Sequence, residues 1–222
     1  MSFDKVSGNM YKYLITHTWR PIKGKCPHAC PYCFMNRFPL NPIKLDEKAL
    51  RKQLGTGKYI FVGSTTDMWA EEVSKTDIMK VLLACSSFPE NQYLFQSKNP
   101  GRFLDFLSFF EGRDNLTFAT TIESDIDRVT GGPSIDARVQ GIIQMQRLGF
   151  PVTVTIEPIQ EFDLNRLKEM MDDIEPAWIS IGADSQRNNL PEPSKEEVLA
   201  LIRELERNHK VIQKDNLRRI IG

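Results

Sequence analysis

Seven short runs of apolar and β-branched residues recur along the 222-residue chain and constrain its fold most. Each run has four to six residues and is mostly apolar on both faces, which is typical of strands buried in a parallel sheet. The predicted strands are Tyr13–Thr18, Tyr59–Val62, Tyr93–Ser97, Leu116–Thr121, Val152–Ile156, Trp178–Ile181 and Lys210–Gln213.

The segments between these runs have the periodicity of helices. In the first of them, apolar residues recur at i, i+3, i+4 and i+7, which places them on one helix face. Ser194 and Glu197 have the spacing of a capping box, which indicates the start of a helix. The predicted helices are Thr76–Phe88, Arg102–Phe110, Ser134–Leu148, Leu164–Asp173 and Ser194–Asn208.

This alternation of strands and helices predicts an α/β fold. Six or seven βα units favour a partial (β/α)6–7 barrel, formed as a single domain over residues 1–222. A doubly wound open sheet is the alternative, since the sequence does not fix the strand order. In both folds ligands bind at the C-terminal ends of the strands.

Charge and hydropathy exclude several function classes. Lys and Arg total 29, and Asp and Glu total 29, so no global field draws the chain to nucleic acid or an anionic membrane. No apolar run approaches the roughly 18–20 residues that span a bilayer, and the N-terminus lacks the apolar centre of a signal peptide. We therefore expect a cytoplasmic location and no membrane partner. There, clustered cysteines are more often metal-binding or catalytic than disulfide-bonded.

Three of the four cysteines lie within eight residues, in the cysteine loop 24–36. Cys26, Cys30 and Cys33 have the spacing C-x3-C-x2-C. Three thiolates can hold three irons of a [4Fe–4S] cluster and leave the fourth iron open. The loop therefore predicts a metal site at which a small molecule can bind and react.

Two other interpretations of the loop remain open. A structural zinc ion would need a fourth ligand, for which His17, His28 and Cys85 are the candidates. Cys85 lies on the apolar stripe of its predicted helix, so we expect a buried thiol, and we expect His28 to be solvated. The C-x-x-C pair that ends the loop also fits a redox dithiol, which leaves the first cysteine unexplained.

Polar or charged residues follow every predicted strand. Charged groups that directly continue a buried strand are costly unless they are paired or solvated in a cleft. We therefore expect these residues to line a site. The candidates are Ser64, Thr65 and Asp67 after the second strand, Lys98 after the third, Glu123 after the fourth and Glu157 after the fifth.

The cysteine loop, with the aromatic Tyr32 before its last cysteine and a predicted strand before it, resembles that of the radical S-adenosylmethionine (radical SAM) superfamily. Within that superfamily the chain resembles a group of small, often phage-associated proteins. Further segments carry the likeness across nearly the whole chain. They are Thr18–Pro21, Phe61–Trp69, Phe95–Phe103, Ile156–Ile159 and the loop at Gly182.

The resemblance implies an enzyme with two cofactors. Cys26, Cys30 and Cys33 would hold a [4Fe–4S] cluster, and S-adenosylmethionine would chelate its open iron, with Tyr32 part of the cofactor-binding site. Reductive cleavage would give a 5′-deoxyadenosyl radical that acts on an unknown substrate. The alternative is a non-enzymatic binding module of phage origin, stabilised by zinc or by a cluster.

Residues at the strand ends would then contact S-adenosylmethionine. The superfamily often has a Gly-Gly-Glu segment after the second strand, whose backbone meets the methionine amino group, and this chain lacks that sequence. The expected contacts are Ser64, Thr65 or Asp67 for the amino group, Lys98 for the methionine carboxylate, and Glu123 or Glu157 for the ribose hydroxyls.

An external electron donor is the first partner that the resemblance implies. The small size of the expected barrel suggests an open side, which favours a macromolecular substrate or a partner protein that closes it. Nucleic acid is one such substrate, with support from a few basic residues. These are Arg102, the Lys210–Lys214 segment and the pair Arg218–Arg219.

Overall fold

The computed structural model describes residues 2–6, 14–39, 41–127 and 131–222 and contains ten strands in these ranges. In chain order the strands are β1 (Phe3–Lys5), β2 (His17–Trp19), β3 (Ile22–Lys23), β4 (Lys44–Leu45), β5 (Tyr59–Val62), β6 (Gln92–Ser97), β7 (Leu116–Thr121), β8 (Val152–Ile156), β9 (Ile179–Ile181) and β10 (Val211–Gln213).

Eight of these strands form one sheet, in the order β1-β2-β5-β6-β7-β8-β9-β10. Seven strands of this sheet are parallel, namely β2, β5, β6, β7, β8, β9 and β10. Strand β1 pairs antiparallel with β2. Each parallel strand lies beside the next one in the chain, whereas a doubly wound sheet reverses its order. The order therefore favours barrel-type winding, although no ladder joins the two edge strands in the described ranges.

The described chain also contains seven α-helices and three 3-10 helices, most of which connect the strands. Side-chain caps begin the four longest helices, where Ser74, Ser134, Asp163 and Ser194 each accept a backbone N–H. The α-helices are α1 (Glu47–Leu50), α2 (Lys75–Ser86), α3 (Leu107–Phe110), α4 (Ile135–Arg147), α5 (Leu164–Ile174), α6 (Lys195–Leu205) and α7 (Arg218–Ile221). The 3-10 helices are Phe34–Arg37, Pro100–Phe106 and Asp215–Leu217.

Most of the predicted elements are present, with a few differences. The predicted strand Tyr13–Thr18 is observed as the shorter β2, which ends one residue later at Trp19, and Tyr13 lies outside the described residues. The predicted helix Arg102–Phe110 is mostly a 3-10 helix that begins at Pro100. Helix α4 packs closely on this turn, because a Cβ on Gly141 would lie 2.6 Å from the backbone nitrogen of Gly101.

A single main hydrophobic core joins the sheet to its helices. The fully buried Trp69 ring packs edge-on against Phe95, Phe103 and Phe106. Cys85 belongs to this core with 3% exposure, which confirms the expectation of a buried thiol. None of the helices in the described ranges combines the length and the apolar character that crossing a bilayer requires.

Candidate functional site

A cavity of about 500 Å³ lies at the C-terminal ends of the parallel strands. Its volume is in the range of small-molecule and cofactor sites. Polar residues that follow β5, β6, β8, β9 and β10 share its wall. The lining includes Ser64, Thr65, Asp67, Gln96, Lys98, Glu157, Asp184, Lys214 and Asn216, together with Tyr32 and all three cysteines of the loop.

The cysteine loop is folded as two successive turns. Ala29 donates its N–H to the carbonyl of Cys26 at 3.2 Å, and Cys33 donates to the carbonyl of Cys30 at 3.0 Å. The side-chain amide of Asn36 also donates to the Cys30 carbonyl, at 3.0 Å. All three thiols of the loop are free, and all three line the cavity.

His28 fixes this loop to the strand ends. Its Nε2 atom lies 2.8 Å from Oδ2 of Asp67, and its backbone carbonyl accepts the N–H of Gly131 at 2.7 Å. The His28 side chain is buried at 4% exposure, so the expectation that it is solvated is wrong. Its Nδ1 atom is buried and has no hydrogen-bond partner among the residues that the structure describes.

The carboxylate of Asp67 is occupied by donors from the protein. Besides His28, Oδ2 accepts the Ser97 hydroxyl at 2.8 Å and the Lys98 backbone N–H at 2.9 Å. Oδ1 accepts the backbone N–H of Trp69 at 2.9 Å. Asp67 therefore joins the ends of β5 and β6 to the cysteine loop.

Lys98 and Glu123 form a buried charged group with Arg138. The Glu123 carboxylate accepts hydrogen bonds from Lys98 Nζ, from the Tyr32 hydroxyl and, at 2.8 Å, from Arg138. The Lys98 ammonium also lies 5.0 Å from the centroid of the Tyr32 ring. This group holds two cations and one carboxylate, and the Asp67 carboxylate that accepts the Lys98 backbone N–H lies beside it.

Burial shifts the pKa values in this region. Desolvation lowers the pKa of Lys98 to about 7 and raises the pKa of Glu123 above its usual range. Desolvation also raises the pKa of Cys26 to about 11 and that of Cys30 above its ordinary value. In the metal-free chain both thiols are therefore neutral, whereas coordination to a metal deprotonates a thiol.

Glu157 also lines the cavity. Its carboxylate pairs with Lys214 and accepts the side-chain amide of Asn216 at 2.6 Å. The absence of a side chain at Gly182 leaves the space that Glu157 and Asn216 occupy. A Cβ at this position would lie 2.6 Å from Glu157 Oε1 and 3.0 Å from Asn216 Oδ1. Glu157 is therefore held in one position while it still lines the cavity.

Several polar atoms of the cavity wall lack partners among the described residues. Gln96 Oε1 and Asn216 Oδ1 are both buried there without a hydrogen bond. Ser64 and Thr65 also line the cavity, and no side-chain hydrogen bond engages their hydroxyls in the described part of the chain. Buried polar groups are normally hydrogen-bonded, so this wall fits a polar ligand.

The residues present fit an iron–sulfur cluster. The donor set consists of three free thiols that line one cavity, which suits a thiolate-ligated group. Within the described residues, no group of three His, Cys, Asp or Glu side chains is arranged around a single metal ion. Cluster ligands bind separate irons, so a cluster does not require that arrangement.

The sequence predicted most of these residues, but it did not single out Arg138, and it offered His28 only as a candidate zinc ligand. Arg138 had a detectable signal, since it lies three residues after Ile135 on the apolar stripe of α4. Glu123 is the predicted residue that does not line the main cavity. It lines a neighbouring cavity of about 240 Å³ behind Tyr32, because its carboxylate turns toward Arg138.

Solved structures show what the fold is similar to. A mutant of spore photoproduct lyase matches over 94% of this chain and 79% of its own, with a TM-score of 0.62 and 10% identity. Streptococcus suis SuiB bound to S-adenosylmethionine matches over 86% of this chain and 48% of its own, with a TM-score of 0.62 and 10% identity.

Another spore photoproduct lyase mutant, with bound AdoMet and dinucleoside spore photoproduct, matches with a TM-score of 0.53 and 11% identity. The match covers 91% of this chain and 64% of the lyase chain. No protein-family model matches the chain, and no curated protein matches it in sequence. Spore photoproduct lyase and SuiB are radical SAM enzymes, so the chain has a fold found in that superfamily.

Proposed function

We propose that the chain is a radical SAM enzyme in which Cys26, Cys30 and Cys33 hold a [4Fe–4S] cluster. The observation that supports this most is that the three thiols of a C-x3-C-x2-C loop line one cavity with the polar strand ends. When bound, such a cluster supplies the electron that cleaves S-adenosylmethionine to methionine and a 5′-deoxyadenosyl radical, which abstracts hydrogen from the substrate.

We assign the methionine end of S-adenosylmethionine to the side of the cavity near the cysteines. Ser64 and Thr65 would accept hydrogen bonds from the methionine amino group, because both residues line the cavity and carry hydroxyl groups. Lys98 would attract the methionine carboxylate, because it is a cationic residue of the cavity wall. Asp67 would position the cysteine loop and the Lys98 backbone, since both of its oxygens already accept protein donors.

We assign the ribose to Glu157. Its carboxylate lines the cavity, whereas Glu123 lies behind Tyr32 and is engaged by Lys98 and Arg138. Carboxylate oxygens accept hydrogen bonds from hydroxyl groups, and the pair with Lys214 fixes the orientation of the Glu157 side chain. Glu123 would instead hold Lys98 and Tyr32 in place.

The proposal also includes a subgroup of the superfamily, a location and an electron donor. The segments Phe61–Trp69 and Phe95–Phe103 favour a place among the small, phage-associated members of the superfamily. We expect the chain to act in the cytoplasm, where thiols stay reduced, and to receive its electron from an external donor.

Anaerobic reconstitution with iron and sulfide tests this proposal. We expect about four irons and four sulfides per chain, with the brown absorbance of an iron–sulfur cluster. Cys30→Ala should lose this absorbance, because it removes one of three ligands. Cys85→Ala is the matched control, since Cys85 is buried in the core away from the cavity and its loss should leave iron content unchanged.

The same preparation distinguishes the alternative. A chain that binds stoichiometric zinc and takes up no iron would be the zinc-stabilised binding module. Equal iron content in the Cys30→Ala and Cys85→Ala proteins would also contradict the proposal, since it would place the iron outside the cysteine loop.

A further inference from the structure

The segment 20–44, which contains the cysteine loop, has a one-sided charge. It carries five cationic residues and no Asp or Glu, although the whole chain has 29 of each sign. The five are Arg20, Lys23, Lys25, Arg37 and Lys44. A local cluster of one sign creates a field that a balanced total charge conceals.

Three of these cations line a groove of about 310 Å³. Arg20, Lys23 and Lys44 contribute to its wall, and no acidic residue does. Lys23 and Lys44 lie directly opposite each other in the β3–β4 ladder, which places two like charges side by side. Thr65 lines both this groove and the main cavity, so the two adjoin.

Only some of the cations are neutralised within the protein. Arg20 pairs with Asp4, and Lys23 pairs with Asp46. Lys25, Arg37 and Lys44 are exposed, and in the described ranges none of them forms an ion pair. We call these three residues, with the groove, the basic surface.

Two exposed aromatic rings accompany the basic surface. Phe34 is the first residue of the 3-10 helix Phe34–Arg37 and is 43% exposed. Phe38 follows this helix directly and is 55% exposed. Phe34 also lines the main cavity. Exposed aromatic rings beside cations are the combination that binds single-stranded nucleic acid, because bases stack on the rings while cations meet the phosphates.

We infer that the basic surface binds single-stranded nucleic acid, with phosphates at Lys25, Arg37 and Lys44 and bases stacked on Phe34 and Phe38. Because Phe34 lies on the cavity wall, a stacked base would be next to the site. The inference that a nucleotide in such a strand is the substrate rests on the proposed function, whereas the binding itself does not. Duplexes should bind less well, since their bases are not free to stack.

Three of the basic residues noted from the sequence alone are engaged elsewhere. Arg102 is buried and donates to the backbone carbonyls of Ala70 and Val73. Lys214 pairs with Glu157 inside the cavity. Arg219 pairs with Glu192. The basic surface around the cysteine loop therefore carries the nucleic-acid inference.

Fluorescence anisotropy with labelled 12-nucleotide strands tests this inference on the full chain after anaerobic reconstitution. DNA and RNA strands of one mixed sequence, and the DNA duplex, are titrated at several salt concentrations. Phe38→Ala should weaken single-strand binding at least about fivefold. Lys44→Gln should lower the slope of log K against log salt by about 0.7, the value for one phosphate on a single strand.

Two remote variants serve as matched controls. Leu148→Ala removes an exposed apolar side chain, and Lys210→Gln removes an exposed cation at the start of β10, the end of the sheet opposite the cavity. Both should bind like the unmodified chain. If Lys210→Gln weakens binding as much as Lys44→Gln does, the basic surface is not the site and the inference is wrong.

Other outcomes also overturn the inference. Absence of single-strand binding at low salt would do so. A second pattern would also overturn it, namely a Lys44→Gln protein that binds the strand normally but whose cluster is reduced more slowly by an acidic electron-carrier protein. The basic surface would then be the binding site of the electron carrier.

Cleavage of S-adenosylmethionine is measured in parallel without nucleic acid. Normal cleavage without strand binding rejects this inference alone, and absence of cleavage rejects the proposed function alone.

Discussion

The imidazole of His28 lies 2.8 Å from the carboxylate of Asp67, and this contact joins the cysteine loop to the end of β5. The same carboxylate oxygen accepts the backbone N–H of Lys98 at the end of β6. One side chain therefore sets the position of the cysteines relative to two strand ends. Since Asp67 is used as a hydrogen-bond acceptor by the protein, its role is to position the loop.

Asp67→Asn should lower cluster content more than it lowers fold stability. The amide can accept hydrogen bonds at only one atom, so at least one buried donor loses its partner, at a cost of about 1–3 kcal/mol. The measurement is iron per chain after reconstitution, with thermal unfolding in parallel. Asp172→Asn is the matched control, because Asp172 makes a similar contact of 2.8 Å with His209 far from the loop. Equal iron content in the two variants would contradict the positioning role.

Glu123→Gln should destabilise the fold strongly, because it leaves Lys98 and Arg138 buried with no carboxylate between them. Removal of one partner of a buried pair costs about 3–5 kcal/mol. Denaturant unfolding gives the free energy of each variant. Lys98→Met should restore part of the lost stability in the Glu123→Gln background, since it removes one uncompensated charge. Additive losses in the double variant would show that the two residues do not interact.

Gly182→Ala should weaken the binding of S-adenosylmethionine about tenfold, or about 1.4 kcal/mol. The added Cβ would lie 2.6 Å from Glu157 Oε1, so the carboxylate assigned to the ribose must move. Anaerobic calorimetry measures the affinity. Gly101→Ala is the control, because a Cβ there has no neighbour within 4 Å. Unchanged affinity in Gly182→Ala would remove Glu157 from the ligand site.

Ser194→Ala should cost about 1 kcal/mol of stability without any effect on the site. The Ser194 side chain and Glu197 form a reciprocal capping box at the start of α6, on the outside of the sheet. Denaturant unfolding measures the loss, and strand binding and iron content should stay unchanged. A loss of iron in this variant would show that general destabilisation, rather than loop position, controls cluster content.

The elements that were predicted best are those with strong local patterns. The bounds of β5, β7 and β8 match their predictions because apolar runs there end at glycine or polar residues. By contrast, β1 was not predicted, and neither was the β3–β4 hairpin. These strands have only two or three residues, which is too short to show a hydrophobic periodicity. Pairing with segments that are distant in sequence stabilises them.

The candidate site shows the same division. Lys98 and Glu157 were predicted because a charged residue directly after a predicted buried strand is conspicuous in sequence. The contact between Glu123 and Arg138 joins a strand end to a helix fifteen residues later and depends on how α4 packs. The burial of His28 depends on Asp67, which is thirty-nine residues away. No local pattern specifies either contact, so the structure was needed to find them.

The most direct test of the account is the formation of 5′-deoxyadenosine by the reconstituted, reduced chain with S-adenosylmethionine. This assay does not require the substrate to be known. We predict that the unmodified chain and the Cys85→Ala protein release 5′-deoxyadenosine and methionine, and that the Cys30→Ala protein releases neither. A chain that holds its full complement of iron, is reduced, binds S-adenosylmethionine and still forms no 5′-deoxyadenosine would contradict the central claim.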